Sequence, residues 1–412
     1  MNLQAWPAKF KNSAPSSSRM KRSLIAATVL SLLACLMAAP VPAEAAPERA
    51  PEQALIEPGP SFGIFDDSGY ESNYIQPTRD GGLLMINRYD DSESQQVWVT
   101  FGKMTSSQSV WSDTFYIDSG IDRTRPSRAV IRETADGGTL FLIHHFKREG
   151  GNEITAYRLD AAGETLWSKA LDTDTLDYID TRVGLETLPD GGFLVSAQSA
   201  SGQTFTIYKY NDQGGPLWQK QETGTLSGWL AGREDGFYAV LDTVNGQEAV
   251  QWDRDGNEVT RTGLELGGGK SVLTVQKLEH DRIAVTGQGG PEGAKTKSTI
   301  ILGNRLKVVK AVEDYAINEV YIPEDKIFIR IDNETSSPGE GAPFSYHTVI
   351  ATGVKSSGKE LWQGRIEKQE SRYYSLVYDP KLVYKVDEGY AILKYESSPA
   401  SFIGMDKIIV NP

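Results

Sequence analysis

The sequence predicts an all-β fold, a seven-bladed β-propeller closed by an N-terminal strand, and three observations carry that prediction. A turn signal flanked by alternating apolar residues returns seven times along the 412 residues. Between these signals a glycine turn followed by Leu-Trp recurs. No stretch has a helical periodicity that competes with the period-two alternation of half-buried strands.

The N-terminal segment reads as an export signal. Lys9, Lys11, Arg19, Lys21 and Arg22 precede an uncharged, mostly apolar run from Leu24 to Ala39, and Ala43-Glu44-Ala45 then supplies a small-x-small cleavage site. Sixteen residues fall short of the roughly 20 that a spanning helix needs, so residues 1–45 are expected to be a cleaved signal peptide and not an anchor. Met1 and Met20 are both candidate starts. A second reading of the same segment is a lipoprotein box at Leu32-Leu33-Ala34-Cys35, with Cys35 anchoring the protein to the envelope. Cys35 is the only cysteine, so a chain cut after Ala45 has neither disulfide nor thiol nucleophile and depends on packing for its stability. That cut removes five basic residues and Glu44, taking the net charge from −13 to −17. A chain this acidic is not expected to bind nucleic acid, because phosphate binding needs a positive field.

Residues 46–59, rich in Pro, Ala and Glu, read as a linker, and residues 60–412 as the propeller. Its turn signals are Asp80-Gly81-Gly82, Asp136-Gly137-Gly138, Asp190-Gly191-Gly192, Glu234-Asp235-Gly236, His280-Asp281-Arg282, Glu324-Asp325-Lys326 and Asp387-Glu388-Gly389. Their first residues lie 56, 54, 44, 46, 44 and 63 apart. Asp-Gly and Gly-Gly supply the positive φ that tight hairpins need, so each signal joins two antiparallel strands. The second mark runs Leu159-Asp160-Ala161-Ala162-Gly163-Glu164-Thr165-Leu166-Trp167 and returns with Leu217-Trp218 and Leu361-Trp362, more weakly with Val110-Trp111 and Val259. Trp111, Trp167, Trp218 and Trp362 are therefore expected at equivalent outer positions, packed between blades. Four strands in 44 to 63 residues is the size of one blade. The seventh repeat supplies only three strands, and Pro60 to Phe65 stands where an outer strand would, so this segment is expected to close the ring.

The Leu-Asp-x-x-Gly-x-x-Leu-Trp repeat resembles the blades of exported bacterial quinoprotein-like β-propellers. The resemblance implies the architecture over about 350 residues. It does not extend to quinone chemistry: the spacing from Asp160 to Trp167 is one residue short, and the mature chain lacks a cysteine pair to lie against such a cofactor. No cofactor is expected.

Aligning the strands that follow the turns gives one polar column: Arg88, His144, Gln198, Asp242, Gln288, Asp332 and Tyr395. Strand ends are wet in any propeller, and the other reading is a ligand-facing ring at the mouth of the channel. Arg123, Arg125, Arg128 and Arg182 add a basic cluster to that face, with Arg128 and Arg182 in one aligned column. Guanidinium forks suit carboxylates and sulfates. Asp122, Asp177 and Asp180 nearby offer these arginines a purely structural alternative.

Metal chemistry finds little support. His144 and His145 point to opposite faces of one strand, His280 sits in a turn and His347 stands apart. Asp253-Arg254-Asp255-Gly256-Asn257 is like a calcium loop only at its start, since the late bidentate acid is missing. Serine-hydrolase elbow, phosphate-loop and zincin patterns are absent. Asn333-Glu334-Thr335 is a glycosylation sequon by pattern. The leading expectation is a monomeric, non-catalytic, exported scaffold that presents a surface to an anionic small molecule, glycan or protein partner. Its rival is a secreted lyase or hydrolase of acidic polysaccharide, with Arg88, Arg128 and Arg182 holding carboxylates and His144 or a tyrosine as base. A quinone-dependent redox propeller is the third reading.

Overall fold

In a computed structural model the chain is described over residues 51–410, except 58–60, 65–71, 79, 81, 92–95, 106–107, 118–127, 148, 172–178, 180–183, 200, 233–235, 268, 292–294, 337–343, 372–374, 387–388 and 398–400. The expected signal peptide, Phe65, Arg123, Arg125 and Arg182 lie outside the described residues. What is described is all-β apart from two short 3-10 turns.

Five antiparallel four-stranded sheets follow one another along the chain, each a simple up-and-down meander. Blade one spans Ser72 to Ile117, blade two Arg128 to Leu171, blade three Leu185 to Thr223, blade four Thr225 to Leu264 and blade five Ser271 to Ala316. The chain is a β-propeller. The expected count of seven separate blades is corrected, because the remaining strands form a single nine-stranded sheet. The joint is the strand Glu52–Glu57. It runs parallel to Glu360–Ser371, with Glu52 opposite Trp362, and antiparallel to Ser401–Val410, with Ala54 opposite Val410. Two edges that would each have ended a blade are thereby joined.

This joining strand falls inside the stretch read as a linker. Pro51 and Pro58 bracket it, and its side chains alternate: Ala54 and Ile56 are buried while Leu55 faces out. The expected closing segment is also a strand, Ser61–Ile64, paired antiparallel with Ser401–Val410 from Ser61 opposite Gly404 to Ile64 opposite Ser401. Both N-terminal pieces thus lie on the same late strand.

The repeat residues explain themselves locally. In the turns between first and second strands, Thr134 N–H donates to the Gly138 carbonyl, and the same bond recurs from Thr78 to Gly82 and from Leu188 to Gly192. The Asp136 carboxylate accepts from the Thr134 hydroxyl at 2.7 Å and from the Gly138 N–H at 3.2 Å. In the turns between third and fourth strands, Asp160, Asn211 and Asp253 each accept from two backbone N–H groups, which is the Asx geometry that fixes a turn. The Asp253 carboxylate is therefore occupied in shaping its own loop.

Trp167 and Trp218 do pack between blades, while Trp362 packs within the nine-stranded sheet. Trp167 of blade two stacks on Phe193 of blade three at 6.4 Å, Trp218 on Phe237 of blade four at 6.3 Å, and Trp362 on Tyr390 at 5.6 Å. Each of the first two is half of a two-pronged clasp. Trp167 Nε1 donates to the Asp212 carbonyl and Lys169 Nζ to the Gly214 carbonyl, at 3.2 and 2.9 Å. Trp218 Nε1 and Lys220 Nζ repeat this on the Arg254 and Gly256 carbonyls, at 3.1 and 3.0 Å. The Trp111 ring also lies against Gly163 of blade two, but its buried Nε1 has no hydrogen-bond partner among the described residues.

Buried side chains gather between successive sheets. Ile86 and Phe101 of blade one meet Ile131 and Phe141 of blade two, and further clusters join two to three, three to four, four to five, and five to the nine-stranded sheet. One more cluster returns to the start, where Leu83, Met85 and Met104 of blade one pack on Ala391, Leu393 and Met405.

Candidate functional site

The polar column occupies one register. Arg88, His144, Gln198, Asp242, Gln288 and Asp332 each stand five residues after the first residue of their strand, and Tyr395 stands six after Gly389. All lie toward the end remote from the hairpin turn that opens the strand. Strand alternation gives these positions the face of residues such as Leu84, Leu194 and Val240, which look toward the following blade. Asp332 departs from the column. It shares a face with Phe328, which packs back toward blade five, because the preceding hairpin closes directly from Ile322 to Ile327.

The side chains of Arg88 and Tyr395 lie outside the described residues, so only their strand positions are placed, Arg88 opposite Ser72 and Tyr395 opposite Val377. His144 and Arg128 are cross-strand partners, as the alignment expects. His144 is buried, with its ring edge-on to Phe146 at 4.7 Å, and Arg128 is half-buried. Gln198 Nε2 donates to the carbonyls of Thr204 and Gly224, at 3.0 and 3.2 Å. Asp242 accepts from the Ser227 hydroxyl. Asp332 accepts from Asn318 Nδ2 at 2.8 Å and lies 3.4 Å from Arg330 Nε. Gln288 Oε1 is buried and has no hydrogen-bond partner among the described residues. Three of these side chains therefore tie strands and blades together, while Gln288 keeps an acceptor unused.

A second set of polar groups was not legible in the sequence. On the inner strands Glu186 Oε1 accepts from the Ala231 N–H at 2.8 Å, and Oε2 lies 3.6 Å from Arg132 Nε. Burial pushes the Glu186 carboxyl above its usual range against the pull of Arg132, the Ala231 N–H and Lys277. Lys277 Nζ in turn donates to the Ala231 carbonyl at 3.5 Å. One carboxylate thus couples blades two, three and four, with blade five alongside. His145, on the opposite face from His144, has both ring nitrogens buried and without hydrogen-bond partners among the described residues. Burial, opposed by Glu153 and reinforced by Lys147, pushes its pKa down, so the ring is neutral at pH 7.

Among the described residues, no group of three or more His, Cys, Asp or Glu side chains is placed to hold a metal ion. Among them too, no helix is long and apolar enough to cross a membrane.

No family model matches the sequence, and no curated protein matches it. Solved structures that are similar include the β-propeller domain of the Trilobed protease from Pyrococcus furiosus, at 13% identity and a TM-score of 0.42, covering 82% of this chain and 98% of that one. The WD40 domain of SCAP from fission yeast is 10% identical with a TM-score of 0.36, covering 86% and 96%. The Synechocystis apocarotenoid oxygenase is 11% identical with a TM-score of 0.37, covering 88% and 96%. Proteins so distant differ in what they do, and none lends this chain an activity.

Proposed function

We propose that this protein is an exported, non-catalytic β-propeller that holds an anionic ligand or partner at the cell envelope on the face where the second strands end. The observation that carries the reading is the common register of Arg88, His144, Gln198, Asp242 and Gln288, each delivered by a different blade to the same end of its sheet. Arg128, opposite His144, adds a guanidinium there, and Arg182 belongs to the same sequence column. In a chain this acidic, a local arginine cluster must supply the attraction that the long-range field denies an anion. The protein acts as a monomer that begins at Ala46, or is lipidated at Cys35.

The deciding experiment measures binding of the full chain to uronic-acid oligosaccharides, sulfated oligosaccharides and their neutral counterparts at low and high salt. Binding of the anionic members, weakened by salt and reduced by both Arg128→Ala and Arg182→Lys, supports the reading, because lysine keeps the charge but loses the planar fork. Unsaturated or hydrolysed sugar products would replace it with an enzymatic one. The intact mass of envelope protein separates an Ala46 start from a diacylated Cys35.

A further inference from the structure

At the opposite end of the sheets, on the outer rim between blades three and four, lies a cavity of about 360 Å³. One side is the outer strand Pro216–Thr223, which supplies Trp218 and Lys220; the other is the turn of blade four, which supplies Asp255, Gly256, Asn257 and Glu258. The half-buried indole of Trp218 is held in place by its Nε1 bond to the Arg254 carbonyl and by its stack on Phe237. Gly256 permits the approach: it holds φ at +81°, and a Cβ there would sit 3.3 Å from the indole. The wall is rigid before anything binds, which lowers the entropy cost of recognition.

The charges along this groove narrow the chemistry of its occupant. Lys220 Nζ is engaged with the Gly256 carbonyl and, at 2.9 Å, with Glu222, and it lies 5.4 Å from the Trp252 ring. A cationic ligand would meet that ammonium. An anionic ligand would meet Asp255 and Glu258, of which Glu258 is already bound by Arg261 at 2.8 Å. Asp255 is 71% exposed, with Arg254 at 3.9 Å, so its carboxylate retains lone pairs for donors from solvent. A neutral molecule with an apolar face and several hydroxyl donors satisfies this lining.

We infer that this groove binds neutral carbohydrate, with a pyranose ring against Trp218 and its hydroxyls donating to Asp255. Trp167 and Lys169 clasp the turn at Asp212 and Gly214 in the same way, so the junction of blades two and three repeats the indole wall. The inference is independent of the anionic face: it uses other residues, at the other end of the sheets.

The test is calorimetric and tryptophan-fluorescence titration of the full chain with cellohexaose, maltohexaose and chitohexaose. At least one should bind saturably, with little response to salt, and Asp255→Ala should weaken that binding about tenfold, as expected for loss of a hydrogen bond to a charged acceptor. Arg128→Ala should leave it unchanged. Trp218→Phe, which keeps a ring but shortens the wall, should weaken it as well; far-ultraviolet circular dichroism checks that both variants remain folded. The inference is overturned if none of the three sugars binds, or if binding persists at full strength in Asp255→Ala and Trp218→Phe.

Discussion

Gly137 and Gly163 both hold φ at +81°, yet they differ in what surrounds them. Nothing lies within 4 Å of a Cβ built at Gly137, whereas one at Gly163 would sit 2.7 Å from the Trp111 ring. Gly137→Ala should therefore cost only the left-handed backbone strain, about 1–2 kcal/mol, and Gly163→Ala should cost about 1–3 kcal/mol more through overpacking; urea midpoints of the two variants check the difference. Asp136 offers a prediction in pH. Burial raises its pKa, but the Thr134 hydroxyl, the Gly138 N–H and Arg158 together outweigh that and hold the carboxyl at about 2, below its ordinary 3.8. Arg158 Nη2 sits 2.7 and 2.6 Å from the two carboxylate oxygens. A depressed folded-state pKa means stability that is present above pH 4 and lost as the pH falls toward 2. Asp136→Asn should be less stable than the parent at pH 7 and should lose less on acidification over that window, as read by denaturant titrations at pH 7, 4 and 2. The carboxylate is 66% exposed, so solvent screening keeps the effect small.

Among the strands, Glu52–Glu57 carries the most consequence for its length. Deleting residues 52–57 strips partners from both Glu360–Ser371 and Ser401–Val410. Hydrogen exchange should then accelerate first in those two strands while blades three and four keep their protection, and an unchanged melting temperature would contradict the closing role. Much of this level was legible in the sequence. Asp-Gly turns at Asp136 and Asp190, and Leu-Trp at Trp167 and Trp218, encode hairpins and clasps through residues only a few positions apart, so local pattern suffices. Glu52–Glu57 escaped because its six residues sit between Pro51 and Pro58 in a Pro- and Glu-rich stretch, and its partners are some 300 and more residues away. The polar column was legible as a register, since strand period alone places it. That Gln198 and Asp242 are bonded to neighbouring strands was not, because partners such as Thr204, Gly224 and Ser227 are set by which segments the fold brings alongside, not by the period of one strand. Asp332 misled for a related reason: a hairpin that closes at Ile322 and Ile327 turns its side chains to the other face, which a column aligned on turns cannot register.

For the molecule as a whole, the clusters between sheets make stability a property of neighbours. Leu393, 1% exposed, belongs to the cluster that joins the nine-stranded sheet to blade one. Leu393→Ala should cost about 2–5 kcal/mol and raise hydrogen exchange in Ser72–Pro77 and Leu83–Asp91 of blade one as well as in its own sheet. Val244→Ala, at a side chain 97% exposed in a loop of blade four, should stay within about 0.5 kcal/mol. The pairing of Glu57 with Lys407 also sets an order of events, because these partners lie 350 residues apart in the chain. A ribosome adding about 5–20 residues per second takes on the order of 20 to 70 s to pass from one to the other. Through that interval Leu55 and Ile56 have no strand to pair with, and blade one lacks the neighbour its Leu83 and Met85 will bury against. The finished sheet therefore records a delay, in which the earliest strand is held open until the latest one arrives.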